Sequence, residues 1–239
     1  MARTVGKTLG WIAVGGLGAG VVFLALAFAV GGRDLHGLLD RPFASRSCGK
    51  ADGKPEAERH LAWTGGDKID IAGSATVHYR GGDGSEIVVR GPAGAIAHVE
   101  VHGSRIMLDC HGFRGSRGVE ITLPGRAFRS INLEGSGDLV MENVNQPELT
   151  LRISGSGDAR AQGTAEHVTI KIAGSGNARL AELAMKRLTV DIAGSGNLEA
   201  APKDEADVKI AGSGNVRLLS HPTQLRSKIA GSGSVSQLP

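Results

Sequence analysis

Residues 168–200 read VTIKIAGSGNARLAELAMKRLTVDIAGSGNLEA. Val168, Ile170 and Ile172 alternate with polar residues, a GSG triplet follows, and Ala178 and Leu180 resume the alternation. The same grammar then returns with Leu188, Val190 and Ile192, a second GSG, and Leu198 and Ala200. Alternation with period two marks a strand with one buried face. Two such strands around an identical turn, repeated at a fixed step, define a structural repeat.

The repeat extends in both directions. GSG triplets begin at Gly135, Gly155, Gly174, Gly194, Gly212 and Gly231, at steps of 20, 19, 20, 18 and 19 residues. Leu149, Leu151 and Ile153, and later Ala206, Val208 and Ile210, precede their triplets in the same way. Ala159 with Ala161, and Val216 with Leu218, follow theirs. A degenerate copy, IAGSAT, starts at Ile71. A step near 19 is too short for a βαβ unit of about 30 residues. Up-and-down hairpins would need a turn signal every 8–12 residues, roughly, and give no reason for alternate turns to be identical. The expected fold is therefore all-β: a right-handed parallel β-helix, or solenoid, with coils of about 19 residues stacked about 4.8 Å apart. Glycine permits the sharp corner between the two strands of a coil.

Stacking also aligns the polar positions. Ser136, Ser156, Ser175, Ser195, Ser213 and Ser232 form one expected ladder; Asp138, Asp158, Asn177, Asn197, Asn215 and Ser234 form another. Stacked amides and hydroxyls hydrogen-bond from coil to coil. Residues 61–130 are strand-rich but less regular than 131–239, and are expected to form first coils or a lid on the N-terminal end. Within them, His98-Val99-Glu100-Val101-His102, the turn Gly103-Ser104, and Arg105 to Asp109 fit a two-residue hairpin with Val101 facing Ile106 and Val99 facing Leu108.

The pattern resembles the head GIN domain of auto-transporter adhesins. IDIAGSATVHY from Ile69, ITLP from Ile121 leading into INLEGSGD, and the IxIxGSGD/N repeats through Val235 carry the resemblance, over roughly residues 62–237. It implies a β-helical fold in an envelope-anchored bacterial protein, and it brings no catalytic residues to carry over.

Composition narrows the class. The 239 residues include 37 glycines and only eight aromatics, with a formal charge of +3. That excludes a helical enzyme with a bulky core, and gives little reason to expect an acidic partner. No Phe, Tyr or Trp follows Phe128, which removes stacking platforms for nucleic acid and for a sugar cleft.

Trp11 to Val30 is an uncharged run of twenty residues, enough for a helix of about 30 Å across a bilayer core. Arg3 and Lys7 precede it, so residues 1–10 stay cytoplasmic and the rest is exported. The run exceeds a signal-peptide core, so an uncleaved anchor is expected over cleavage after Ala27-Phe28-Ala29. Residues 31–60 read as a linker and 61–239 as the ectodomain. This places the chain in a bacterial inner membrane as a single-pass protein, its C-terminal domain periplasmic or extracellular. Cys48 and Cys110 are both exported, where one disulfide or two unpaired thiols are open.

The sequence assigns no catalytic, cofactor or metal residue, and four clusters come closest to a site. The GSG loops lack the following helix of a phosphate cradle. His98, Glu100 and His102 share a strand face with Asp109 opposite His98, but histidines four apart on a strand are about 13 Å apart, too far for one ion. Asp138 and Asp158 are ladder neighbours that would shift one another's pKa or recruit a cation. Arg152, Lys171, Lys209 and Lys228, interrupted by Asp191, and Arg160, Arg179 and Arg217, interrupted by Glu199, make two outward basic stripes suited to anionic glycan or lipid. The expected function is a non-enzymatic envelope protein for adhesion or as an interaction scaffold. One alternative is a carbohydrate-active β-helix enzyme or anionic-glycan binder. Another is a scaffold that self-assembles through its C-terminal coil, with Ala173, Ala193, Ala211 and Ala230 as a smooth outer stripe. Partners are thus the membrane through 11–30, a protein or anionic glycan, and a second copy, but not nucleic acid.

Overall fold

A computed structural model describes residues 56–108 and 118–238. The expected membrane segment 11–30, with residues 1–10, Cys48, Cys110 and Asp109, lies outside them. Among the described residues no helix is long and apolar enough to cross a membrane. The first strand, β1 (Glu56–Ala62), opens inside the stretch read as linker.

Strands β2 (Lys68–Gly73), β3 (Thr76–Arg80) and β4 (Glu86–Pro92) precede a single helical turn, α1 (Ala93–Ile96). Then come β5 (Val99–His102), β6 (Arg105–Leu108), β7 (Glu120–Leu123) and β8 (Ser130–Gly135). The regular part follows as β9 (Asp138–Gly155), β10 (Asp158–Gly174), β11 (Asn177–Gly194) and β12 (Asn197–Gly212). It ends with β13 (Asn215–Leu218), β14 (Gln224–Gly231) and β15 (Ser234–Gln237).

The solenoid is as the repeat predicts. From β8 to β15 every pairing is parallel, and equivalent repeat positions are in register. Ile153, Ile172, Ile192, Ile210 and Ile229 form one aliphatic ladder, and all but the last are buried. The early copy IAGSAT is the first coil: Gly73 pairs with Gly135, and β3 lies on β9.

Each GSG makes its corner with two glycines that serve different ends. Gly174 has φ +129°, a backbone conformation that side-chain-bearing residues rarely adopt. At Gly176 the constraint is space. A Cβ there would press on the Gly157 carbonyl oxygen and come within 2.7 Å of Ile153 Cγ2. The backbone closes the corner to the coil before it, with Ser175 N–H donating to Gly155 O at 2.9 Å.

One feature of the coil departs from the sequence reading. Each regular coil has three inward-facing runs, not two. Between the two expected runs, Val144 and Gln146 in β9, Ala165 in β10, and Leu183 and Met185 in β11 are also buried. Asn143 (φ 53°) and Gly163 (φ +126°) bend the chain into this middle run. No GSG-like motif announces the bend, so the extra face is invisible to a search for alternation bounded by strong turns. Gln146 is the one polar side chain buried there among the described residues. Its Nε2 donates to Phe128 O at 2.9 Å and Glu148 O at 2.8 Å.

The N-terminal end is closed by a change of strand direction. β6 and β7 continue the stack in parallel beneath β2 and β3. Beyond them β5 pairs antiparallel with β6, β4 with β7, and β1 with β4. The hairpin has the expected register, Val101 opposite Ile106 and Val99 opposite Leu108. Residues 61–130 thus supply both a first coil and a lid. Phe128, fully buried, sits edge-on to Trp63 at 5.6 Å and Tyr79 at 5.9 Å, so three of the few aromatics plug this end.

The C-terminal end differs. β14 pairs only with β12, and β15 only with β13, among the described residues. Leu225 (38% exposed) and Ile229 (41%) are aligned with the buried Ala206 and Ile210 of the coil beneath, yet face solvent.

Candidate functional site

The polar ladder at the GSG corner is a hydrogen-bonded column. Asp158 N–H donates to Asp138 Oδ1 at 3.1 Å. Asn177 donates to Asp158 Oδ1 through both its backbone N–H (3.1 Å) and Nδ2 (2.8 Å). Asn197 Nδ2 donates to Asn177 Oδ1 at 2.9 Å, Asn215 Nδ2 to Asn197 Oδ1 at 3.1 Å, and Ser234 Oγ to Asn215 Oδ1 at 2.7 Å. The column thus has a direction, each side chain accepting from the coil that follows. Asp158 is committed to Asn177 and lies 3.6 Å from Arg179 Nη1, so its role here is structural. The serine positions stack as well, but their recorded coil-to-coil bonds are made by the backbone, such as Ser156 N–H to Gly135 O and Ser195 N–H to Gly174 O.

The hairpin histidines are not gathered into a cluster. His102 Nε2 lies 3.0 Å from Glu100 Oε2, both exposed, and the Asp109 expected opposite His98 falls outside the described residues. Among the described residues no three His, Cys, Asp or Glu side chains converge on a point where an ion would sit.

Two outer faces carry the basic stripes. On the face before the GSG corner, Arg152, Lys171, Asp191, Lys209 and Lys228 stack in register. Ala173, Ala193, Ala211 and Ala230 form the next column, and all four are exposed. Lys171, Lys209 and Lys228 have no carboxylate partner among the described residues, and short neighbours leave them accessible.

The face after the corner is less regular, because the coils differ in length at the bend into the middle run. In β9 two residues, Glu142 and Asn143, separate Met141 from Val144; in β10 only Gln162 separates Ala161 from Gly163, which pair with Met141 and Val144. In β11 two residues return, Ala181 and Glu182, before Leu183. A short coil between two longer ones leaves a groove of about 340 Å³, floored by Ala161 and flanked by Glu142 and by Ala181 and Glu182. Arg160 and Arg179 stand side by side within it. Sequence reasoning found both arginines but not the groove. Its trace was the uneven step of the triplets.

At the lid, ion pairing shifts the pKa of neighbouring groups. Glu86 and Glu58 flank His60 at 3.0 and 2.8 Å. Their hydrogen bonds, with Glu86 the stronger influence, raise the imidazole pKa above its ordinary value. Arg90, bonded to Glu58 at 2.7 Å, holds that carboxyl below the usual carboxylate range. Burial pushes the Tyr79 phenol up.

A family described as "Putative auto-transporter adhesin, head GIN domain" matches residues 67–222, the span of the solenoid from its first coil to the loop after β13. The chain belongs to the head GIN domain family. The crystal structure of a "putative adhesin" from Bacteroides fragilis resembles this head GIN domain with a TM-score of 0.61 at 20% identity, over 77% of this chain and 98% of that one. At that identity the likeness speaks for the fold. A "putative lipid binding protein" from Parabacteroides distasonis aligns at 16% identity over 79% and 98% of the two chains, with a TM-score of 0.49. A "putative adhesin" from Parabacteroides merdae aligns at 16% over 80% and 99%, with a TM-score of 0.46. No curated protein matches the chain.

Proposed function

We propose that this head GIN chain is an exported, membrane-anchored envelope protein whose solenoid presents its outer faces for adhesion or as an interaction scaffold, without catalysis. The observation that carries this reading is the pre-corner face. There, three lysines without carboxylate partners among the described residues stand in register beside a column of exposed alanines. Such a face repeats small and basic side chains along the stack, interrupted by Asp191, and suits an extended or repeating partner better than a small substrate. The anchor rests on the twenty uncharged residues 11–30 behind Arg3 and Lys7. Right-handed winding belongs to the same reading, since parallel crossovers within one sheet are right-handed in nearly all cases.

Protease accessibility of a C-terminal tag tests it, in intact cells, in spheroplasts and after lysis. Cleavage in intact cells means surface display and favours adhesion. Cleavage only in spheroplasts means a periplasmic scaffold. Protection until lysis would overturn the export on which the reading depends.

A second reading, self-association through the last coil, is favoured by one observation. The large exposed hydrophobics among the described residues, Leu225, Ile229 and Leu238, all lie at that end.

A further inference from the structure

We infer that the groove at the uneven bend binds an acidic sugar unit of a polysaccharide, Arg160 taking its carboxylate and Glu182 with Gln162 taking its hydroxyls. This deepens the proposed function by naming a partner class, and rests on its placement of the solenoid outside the cytoplasm.

Most of the charged side chains around the groove are paired. Arg80 holds Glu142 through Nε (2.9 Å) and Nη2. Arg179 faces Asp158 at 3.6 Å, and Glu199 faces Arg217 at 3.7 Å. Arg160 and Glu182 remain, both exposed, and neither side chain has a hydrogen bond or ion pair among the described residues. One unmatched guanidinium and one unmatched carboxylate therefore share a groove of about 340 Å³. That volume is at the small end of ligand sites and suits one or two sugar units rather than a folded partner.

The mixture of signs selects the ligand. A guanidinium presents a planar fork that a carboxylate or phosphate fills with two parallel hydrogen bonds. Glu182 and Glu199 would repel a densely charged phosphate or sulfate chain. Those same carboxylates accept hydrogen bonds from hydroxyl groups, and the Gln162 amide both donates and accepts. A ligand with one carboxylate per unit and several hydroxyls meets every group without a like-charge clash. Val140 and Ala181 add small apolar surface for the C–H face of a pyranose ring. The site does this without an aromatic platform, so the arginine fork must supply the orientation.

The test uses the full-length chain in a non-ionic detergent, titrated calorimetrically at fixed salt with polygalacturonate, its methyl ester, dextran and dextran sulfate. The expected result is binding of polygalacturonate with little or none of the neutral ester or dextran. Arg160→Gln should weaken it roughly tenfold or more, the scale of losing one charge-assisted bidentate contact. Arg160→Lys should fall between, keeping the charge but not the fork, while Lys203→Gln, exposed and outside the groove, should leave binding unchanged. Circular dichroism and a thermal melt confirm that the variants fold, as expected for exposed side chains.

Failure of wild-type binding, equal binding of the ester, or indifference to Arg160→Gln would overturn the assignment. So would equal or tighter binding of dextran sulfate, which would indicate general polyanion capture. Shortening of the polymer with Arg160-dependent binding intact would support the site and overturn only the non-catalytic part of the proposed function. Protection of the C-terminal tag until lysis would remove the export premise independently of any titration.

Discussion

The solenoid depends on individual residues mainly where backbone meets backbone. Gly176 has no room for a side chain, because the preceding coil's carbonyl and Ile153 occupy the site a Cβ would take. Gly176→Ala must spread two coils or shift both corners, and should destabilise by about 1–3 kcal/mol, the range of an overpacked core. A denaturant midpoint equal to wild type would refute this. Asn177 makes a different prediction. Its Nδ2 donates to Asp158, so Asn177→Asp replaces a donor with a second carboxylate. The new carboxyl's pKa is raised in the folded state, which places the penalty above that pKa and relieves it as the pH falls. The variant should therefore melt below wild type at pH 7, with the gap narrowing toward pH 4. A gap of constant size would mean that charge repulsion is not the cause.

At the scale of the element, β1 is tied down by titratable groups whose pKa values are shifted. It is an edge strand, joined to β4 on one side, and its outer face carries Glu58 and His60. Because the folded-state pKa of His60 is raised, its contribution is complete below the ordinary imidazole value and lost as pH rises through the higher folded one. Glu58 acts in the opposite sense: its lowered pKa contributes above the ordinary carboxylate value and is lost as pH falls. Hydrogen exchange of the β1 amides should thus speed up on passing from pH 5.5 to 8.5 by more than base catalysis explains. His60→Gln should remove the excess. Both groups are exposed, so the effect should be confined to this strand. An unaltered excess in the variant would assign the change to other groups. The lid also shows how far local signals reach: the 98–108 hairpin was legible from alternation and Gly103-Ser104, because register in a tight hairpin is set locally.

For the whole molecule the two ends are unequal. One is sealed by antiparallel strands and three aromatics, while the other leaves strand edges and apolar side chains uncovered among the described residues. Open edges of this kind template pairing with another chain. Under the self-association reading, two differently labelled populations of the full-length chain should show concentration-dependent energy transfer, abolished by Ile229→Glu. That side chain is already 41% exposed, so the variant should keep its fold. A wild type with no transfer at high concentration would end the reading. Val235 is a poorer probe, since it packs partly against the core and a charge there would also disturb the last coil.

The amino-acid sequence by itself determined the repeat, its parallel stacking, the glycine corner, the amide ladder and the two basic stripes. Each follows from a short-range pattern copied from coil to coil: alternation gives the buried face, and equal spacing brings like residues into register. It also contained the irregular steps of 20, 19, 20 and 18 residues, but not where in the coil the difference falls. Only the tertiary structure decided that. The corners are pinned glycine on glycine and the isoleucine ladders hold their register, so, while in β12 the register shifts on both sides of Pro202, from β9 to β11 the extra or missing residue is forced to the bend beside the middle run. There it opens the groove that holds Arg160. The third inward run escaped sequence reading for the same reason. Val144 and Gln146, or Ala165 alone, are too short a pattern to be recognised until the coils above and below bury them.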